Sequence, residues 1–218
     1  TKVNLGLGFL LNGNFIPDGS RTHLHQDLTW NDFLFEKAGE LLLDKLVVLI
    51  EGDIDKQSVL NLIPNFGKLT DINDDEKIQF IEAFKKGFDK KITATQFIPT
   101  KSGSLETLSN ILIDETGLFE LLGDKFAQLT GISEKLIDNN AGEGIDKIKE
   151  LINQHSVGVL YDVNRLKDDI KTKLQDWLKH PTNNFKFIEH LSSSETLKGL
   201  LKTEEIVLSN NGDLCKAS

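Results

Sequence analysis

From Trp30 to Gly52 apolar side chains recur every third or fourth residue, at Trp30, Phe33, Leu34, Ala38, Leu41, Leu42, Leu46 and Leu49. That period predicts one long amphipathic helix ending near Gly52, with Thr29 and Asp32 as its N-terminal cap pair.

The flanking segments alternate between strand and helix. Val3 to Leu11 alternates apolar residues with small or polar ones and then reaches Asn12-Gly13, the dipeptide best suited to a tight hairpin, so strands are expected on either side. A short helix over Lys56 to Leu62 stops at Pro64, because the residue before proline is pushed out of the helical region. Asn73 to Glu76 sets a capping side chain and acidic groups before a helix bearing Ile78, Ile81, Phe84 and Phe88. The β-branched run Ile92 to Ile98, the turn Lys101-Ser-Gly103 and the apolar Leu108 to Ile113 read as a second hairpin.

After Asp114 the pattern is almost wholly helical. Short helices are expected over Leu118 to Leu122, Asp124 to Thr130, Ser133 to Ile137 and Glu143 to Asn153. A longer one with Val163, Leu166, Ile170, Leu174, Trp177 and Leu178 on one face halts at His180-Pro181, and two more fit Thr182 to Leu191 and Ser194 to Leu201. The expected fold is α+β: an N-terminal β-hairpin and long helix, a second small mixed unit, and a mostly helical C-terminal half. Residues 1–115 form a mixed α/β coupling region and residues 116–218 a mainly helical region ending in a truncated β-hairpin.

One internal echo stands out. Phe97-Ile-Pro-Thr-Lys-Ser-Gly-Ser-Leu-Glu-Thr-Leu-Ser109 aligns without gaps with Ile206-Val-Leu-Ser-Asn-Asn-Gly-Asp-Leu-Cys-Lys-Ala-Ser218. Both copies place a β-type segment, a polar turn with glycine at the same point, and a leucine two residues later. The match suggests a repeated unit in a larger architecture.

Composition bounds the function. At 218 residues, 39% hydrophobic and 27% charged, the chain has the makeup of one large or two small globular domains. The longest apolar stretch, Leu41 to Ile50, is interrupted by Asp44 and Lys45 and falls short of the ~20 residues of a membrane span, so no membrane partner is expected. Acidic residues outnumber basic ones 34 to 25, and the net charge of -9 repels phosphate backbones, which makes nucleic acid an unexpected partner. Cys215 alone cannot form an internal disulfide, and no secretory leader opens the sequence, so the expected compartment is cytoplasmic. With no methionine at all, the chain is expected to be a processed product or a part of something longer.

Gly-x-x-x-x-Gly-Lys-Ser/Thr, Gly-x-Gly-x-x-Gly and His-Glu-x-x-His do not occur. Gly6 and Gly8 suit close backbone packing. His23, His25 and Asp27 have a spacing that can hold a metal, although solvated loop histidines are the commoner outcome, and no metal site is assigned. His155, His180 and His190 fall at expected helix ends, where the dipole favours a cation, and Asp71 to Glu76 reads as a solvated helix start. Arginine is more telling: Arg21 and Arg165 are the only arginines among 25 Lys and Arg residues. Arg21 lies in Pro17-Asp-Gly-Ser-Arg-Thr-His-Leu-His25, between a strand and the long helix. A guanidinium aimed from such a loop can grip two oxygens of a carboxylate or phosphate; the alternative is that it caps the turn or pairs with Asp18 or Asp27.

Gly8-Phe-Leu-Leu-Asn-Gly-Asn-Phe15, Ser20-Arg21, His25-Gln-Asp27 and Trp30-Asn31-Asp-Phe-Leu-Phe-Glu36 resemble the segment directly after the nucleotide fold in sacsin-like proteins of the GHKL ATPase group. Phe97-Ile-Pro-Thr-Lys-Ser-Gly103 and Ile113-Asp-Glu-Thr-Gly117 are also similar to hairpins of that family. The resemblance implies a middle or coupling segment of a chaperone-related, ATP-dependent protein, relaying nucleotide state to a client. The family's ATP pocket uses a helix with Glu and Asn, an Asp-x-Gly motif and glycine-rich lids, none of which matches here. This chain is therefore expected to hold no cofactor itself, ATP and magnesium being implied for the parent protein. Its partners would be the upstream ATP-binding domain of the same protein and a protein client.

Chaperones of the group carry an arginine in a Ser-Arg-Glu stretch that reaches the γ-phosphate when domains close. Ser20-Arg21 matches, which implies a catalytic contact for Arg21 with Ser20 and His25 beside the nucleotide. Three positions depart: Thr22 stands for Glu, Asp18 for Asn and His25 for Gln. An acidic Asp18 beside phosphate is unfavourable, so Arg21 could instead hold the interdomain joint through Asp18. The alternative functional class is a helical protein-interaction scaffold with no nucleotide role.

Overall fold

The computed structural model describes residues 5–26, 28–52, 54–70 and 75–217. In chain order, α1 (Thr29–Glu51), α2 (Lys56–Leu60), α3 (Phe66–Thr70) and α4 (Asp75–Lys91) precede β1 (Ile98–Pro99), β2 (Leu105–Glu106) and β3 (Ile111–Asp114). Then follow α5 (Leu118–Leu122), α6 (Lys125–Thr130), β4 (Lys135–Leu136), α7 (Gly144–His155) and β5 (Val159–Tyr161). The chain continues through α8 (Val163–Thr172), α9 (Gln175–Leu178), α10 (Pro181–Ser193), α11 (Gly199–Thr203), β6 (Val207–Leu208) and β7 (Leu214–Cys215). The fold is α+β and mostly helical in its C-terminal half. Among the described residues, no helix is long and apolar enough to cross a membrane.

Two compact units emerge. One comprises Thr1–Ile111 with Lys135–Gly158, the other Leu112–Glu134 with Val159–Ser218. Where the sequence suggests a single cut after residue 115, each unit is thus assembled from two stretches of chain.

The first unit is built on α1 and α4, which run side by side in the same direction. Gln79 Nε2 donates to Asp32 (2.9 Å), Phe35 stacks on Phe80 (centroids 4.8 Å), and Lys91 pairs with Asp44 (2.6 Å). The two backbones touch at glycines: a Cβ at Gly87 would lie 1.8 Å from the Glu36 carbonyl oxygen. Glu36 pairs with Lys86 (2.8 Å) and with Lys90, and Lys90 also reaches Glu40 (3.4 Å). The Lys86 and Lys90 ammonium groups hold the Glu36 carboxyl down at about 2. Beneath them an aromatic core joins Phe15, Phe35 and Phe80, and another joins Phe9, Phe66, Phe84 and Phe88. Lys147 donates to the Asn61 and Ile63 carbonyls (2.6 and 2.5 Å) and fastens α7 to the end of α2.

In the second unit β3 pairs in parallel with β5, Leu112 opposite Val159. The Asp114 carboxylate at the end of β3 accepts from the Thr116 amide (2.8 Å) and the Phe119 amide (2.7 Å), closing the Asp-Glu-Thr-Gly turn onto α5. His190 Nε2 meets the Thr116 carbonyl at 2.7 Å on the other side of that turn. Tyr161, Phe126, Phe187, Leu166 and Ile170 are fully buried.

Several expectations need correcting. The tight turn of the N-terminal region lies at Asp18–His23, closed by a bridge between Pro17 and Leu24, and no strand forms at Asn12-Gly13 among the described residues. The cap at Asn73 and Asp74 and the Val3 end of that first expected strand lie outside the described residues. Leu28, not Thr29, is the N-cap of α1 and caps nothing with its side chain, while Asp32 is taken by Gln79. The second hairpin keeps its turn but has short arms, and Leu108 to Ile113 becomes a 3-10 turn leading into β3. Ser133 to Ile137 is extended, not helical. The long helix from Val163 breaks because the Lys173 and Leu174 amides both bond the Asp169 carbonyl (2.8 Å each), ending α8 before α9 begins.

Candidate functional site

Arg21 sits at the tip of the Asp18–His23 turn. The Arg21 amide donates to the Asp18 carbonyl (3.0 Å), and the Asp18 amide to the His23 carbonyl (3.0 Å). Arg21 itself takes a left-handed backbone conformation, φ 60°. A side-chain-bearing residue there carries a conformational cost of roughly 1 kcal/mol or more, which glycine would avoid. The residue is exposed.

The turn's own polar groups are consumed locally. Ser20 Oγ donates to Asp18 Oδ2 (2.6 Å) and lies 2.5 Å from Thr22 Oγ1, which in turn meets His23 Nδ1 at 2.9 Å. The Ser20 hydroxyl, with the His23 and Thr22 amides, keeps the Asp18 carboxyl below its ordinary value against a smaller opposing effect of burial. Asp18 therefore stays ionised and directed into the turn. Ser20 is committed to Asp18, and His25 enters through its backbone, its amide donating to the Ile16 carbonyl at 3.0 Å.

Asn31 fixes the stem. Fully buried in the first turn of α1, it accepts from the Ile16 amide (2.8 Å) and donates to the Ile16 and His25 carbonyls (2.8 and 2.9 Å). One planar amide thus clamps both arms of the turn, pairing the Ile16 amide and the His25 carbonyl and sharing the Ile16 carbonyl with the His25 amide. Trp30 adds a second tie, its indole N–H donating to the Asn14 carbonyl (3.0 Å). The outcome is a stem tied by side-chain hydrogen bonds to the N-terminal end of a 23-residue helix, with Arg21 exposed at its tip. Asn31 is not among the residues that pattern or motif singles out; its signal in the sequence is an asparagine immediately inside a helix start, in an otherwise apolar period.

The remaining candidates divide between this turn and other elements. His23 and His25 lie on this turn, and Asp27, third of the metal-type trio, is outside the described residues. Arg165 belongs to the second unit, its guanidinium 5.8 Å from the centre of the Tyr161 ring. His155 ends α7 with Nε2 3.6 Å from Asp89. His180 is the N-cap of α10. On α1 the face away from α4 carries exposed Trp30, Phe33, Leu41 and Val48.

No family model, curated protein or solved structure matches this chain.

Proposed function

We propose that this chain is the coupling segment of a sacsin-like, chaperone-related ATP-dependent protein, in which Arg21 contacts the phosphates of a nucleotide held by an upstream domain. The observation that carries the reading is the build of the turn: Arg21, an exposed residue, at the tip, a stem held by Asn31 and Trp30, and direct continuation into α1. A push on the tip would be delivered to α1 and, through the glycine contact, to α4. A positive group placed in this way offsets charge that develops during phosphoryl transfer. Asp18, the acidic departure from the family's pattern, is bonded by Ser20 and the His23 amide and stays ionised, so Arg21 has its charge to offset as well as that of the phosphate.

The test is ATP turnover of the full-length parent. Arg21→Ala should reduce it by a factor on the order of 10³ with nucleotide affinity little changed. Arg21→Gly should do the same while relieving the strained backbone, which separates loss of the guanidinium from loss of the fold. The isolated chain should show no micromolar binding of a non-hydrolysable ATP analogue with magnesium.

The scaffold reading has one observation in its favour, the exposed apolar residues of α1, with Leu41 at 54% and Val48 at 60% exposure. Turnover unchanged by both Arg21 variants would transfer the case to it.

A further inference from the structure

The two sequence echoes fold into the same hairpin in the same register. Ile98 pairs with Glu106 and Pro99 with Leu105; in the second copy Val207 pairs with Cys215 and Leu208 with Leu214. The turns agree bond for bond. The Thr100 amide donates to Ser104 (2.9 Å) and the Gly103 amide to Thr100 (2.9 Å), while the Ser209 amide donates to Asp213 (2.8 Å) and the Gly212 amide to Ser209 (3.0 Å). Gly103 and Gly212 share a left-handed backbone, φ 86° and 87°. Both are type I turns closed by a glycine bulge.

Their outer edges differ. In the first copy an extended segment lies antiparallel along the hairpin, with Ile137 bridged to Thr100. The Lys101 amide donates to the Leu136 carbonyl (2.9 Å), and the Asp138 amide donates to the Pro99 carbonyl (2.9 Å). Under that strand Ile98, Pro99 and Thr100 are buried. In the second copy Val207, Leu208 and Ser209 are only half-buried. Asn184 of α10 takes the Ile206 carbonyl (2.6 Å) and the Leu208 amide (3.2 Å). Beyond it, the Leu208 carbonyl and the Asn210 amide, counterparts of Pro99 and Lys101, take no partner among the described residues.

We infer that the edge formed by Leu208 and Asn210 is a strand-docking site for an extended segment of the Leu136-Ile137-Asp138 type. The occupant donates one amide to the Leu208 carbonyl, accepts from the Asn210 amide, and sets one apolar side chain, in the place that Ile137 takes beside Thr100, next to Ser209. Main-chain bonds supply the attraction, and alternate side chains supply selectivity. Exposed paired edges are the places where sheets recruit a further strand. This site stands independently of the Arg21 reading.

The test uses the full chain, isotopically labelled for amide NMR, and a capped synthetic peptide spanning Ser133 to Asn140. The expected result is a saturable shift and slowed exchange at the Asn210 amide. Asn210→Ala, which keeps the amide, should bind as the parent does. Asn210→Pro removes the amide at a turn position where proline is favoured, so the hairpin is retained while binding weakens about tenfold or more. A peptide carrying Asp138→Pro should fail likewise. Shifts at Lys101 in place of Asn210, or binding indifferent to Asn210→Pro, would overturn the site. Peptide-free dimerisation abolished by Asn210→Pro would overturn the choice of occupant in favour of a second copy.

Discussion

A Cβ placed on Gly39 would lie 2.0 Å from the backbone oxygen of Phe84. The reciprocal contact of Gly87 with Glu36 makes this a two-sided approach, in which α1 and α4 meet backbone to backbone. Helices separated by ordinary side chains stand 8–10 Å apart between axes, and only glycine permits a closer crossing. Every contact along this pair, from Asp32 with Gln79 to Asp44 with Lys91, depends on that spacing.

The sign of a Gly→Ala change here is therefore the reverse of the usual one. In an exposed helix interior alanine would gain about 1 kcal/mol over glycine. At Gly39 or Gly87 the new methyl collides with backbone, which cannot rotate away, so each substitution should destabilise by about 1–3 kcal/mol or more. Urea denaturation measures this. Gly199, whose Cβ position is open space, is the matched control and should be neutral or slightly stabilised as Gly199→Ala.

Asn31 should be irreplaceable by a residue of the same shape. Asn31→Asp exchanges a donor for an acceptor and sets a carboxylate against the Ile16 and His25 carbonyls. Asn31→Ala removes the partners of the Ile16 amide and the His25 carbonyl, at about 1 kcal/mol each, while the Ile16 carbonyl keeps the His25 amide. Both variants should accelerate amide exchange at His25 and Asp18 more than at the centre of α1, because the clamp holds the turn and the helix interior does not rely on it. Uniform acceleration across the unit would show that Asn31 supports the whole fold and has no particular hold on the turn.

Acid should loosen the α1–α4 pair in a defined window. The Glu36 carboxyl is held near 2 by Lys86 and Lys90, below the ordinary glutamate value of about 4.3 found in an unfolded chain. A depressed folded value means that the ion pairs contribute fully above that unfolded value, and the contribution disappears as pH falls towards 2. Glu36→Gln should accordingly flatten the dependence of denaturation midpoint on pH between about 4.5 and 2. A parallel downward displacement of the whole curve would locate the pH sensitivity elsewhere.

Much of this fold was legible in the sequence where a single element decides its own limits. The end of α1 at Gly52, α5 at Leu118–Leu122, the glycine turn at Lys101-Ser-Gly103 and the repeated hairpin follow from period and turn chemistry. Long-range partners settled the rest. The stripe Trp30, Phe33, Leu41 is exposed because Gly39 turns the opposite face, with Phe35, Leu43 and Leu46, towards α4. Leu136-Ile137 is a short apolar run that fits helix or strand equally, and bonding to Pro99 and Lys101 chooses the strand. At the candidate site, the turn and its arginine were visible, but the clamp was not, since its three bonds join residues 6 to 15 positions apart.

Tyr161 offers a probe of the second unit's core, because it is the only tyrosine in the chain. Its side chain is fully buried, and its hydroxyl donates to Asp169 Oδ2 at 2.8 Å. Burial first, then the Asp169 carboxylate, pushes the phenol well above its ordinary value. The neutral phenol is thus the form the fold requires, and stability is complete below about pH 10, the unfolded value, then declines as pH rises beyond it. Tyrosinate absorbance should be absent from the folded chain at pH 11 and should appear together with loss of circular dichroism, whereas in urea it should titrate near 10. Tyr161→Phe leaves Asp169 buried with Lys173 (3.0 Å) as its remaining charged partner, and should cost about 1–3 kcal/mol at neutral pH while removing the alkaline decline. Titration of the folded chain near 10, without unfolding, would mean that the phenol reaches solvent and that the Tyr161–Asp169 bond does not hold the unit closed.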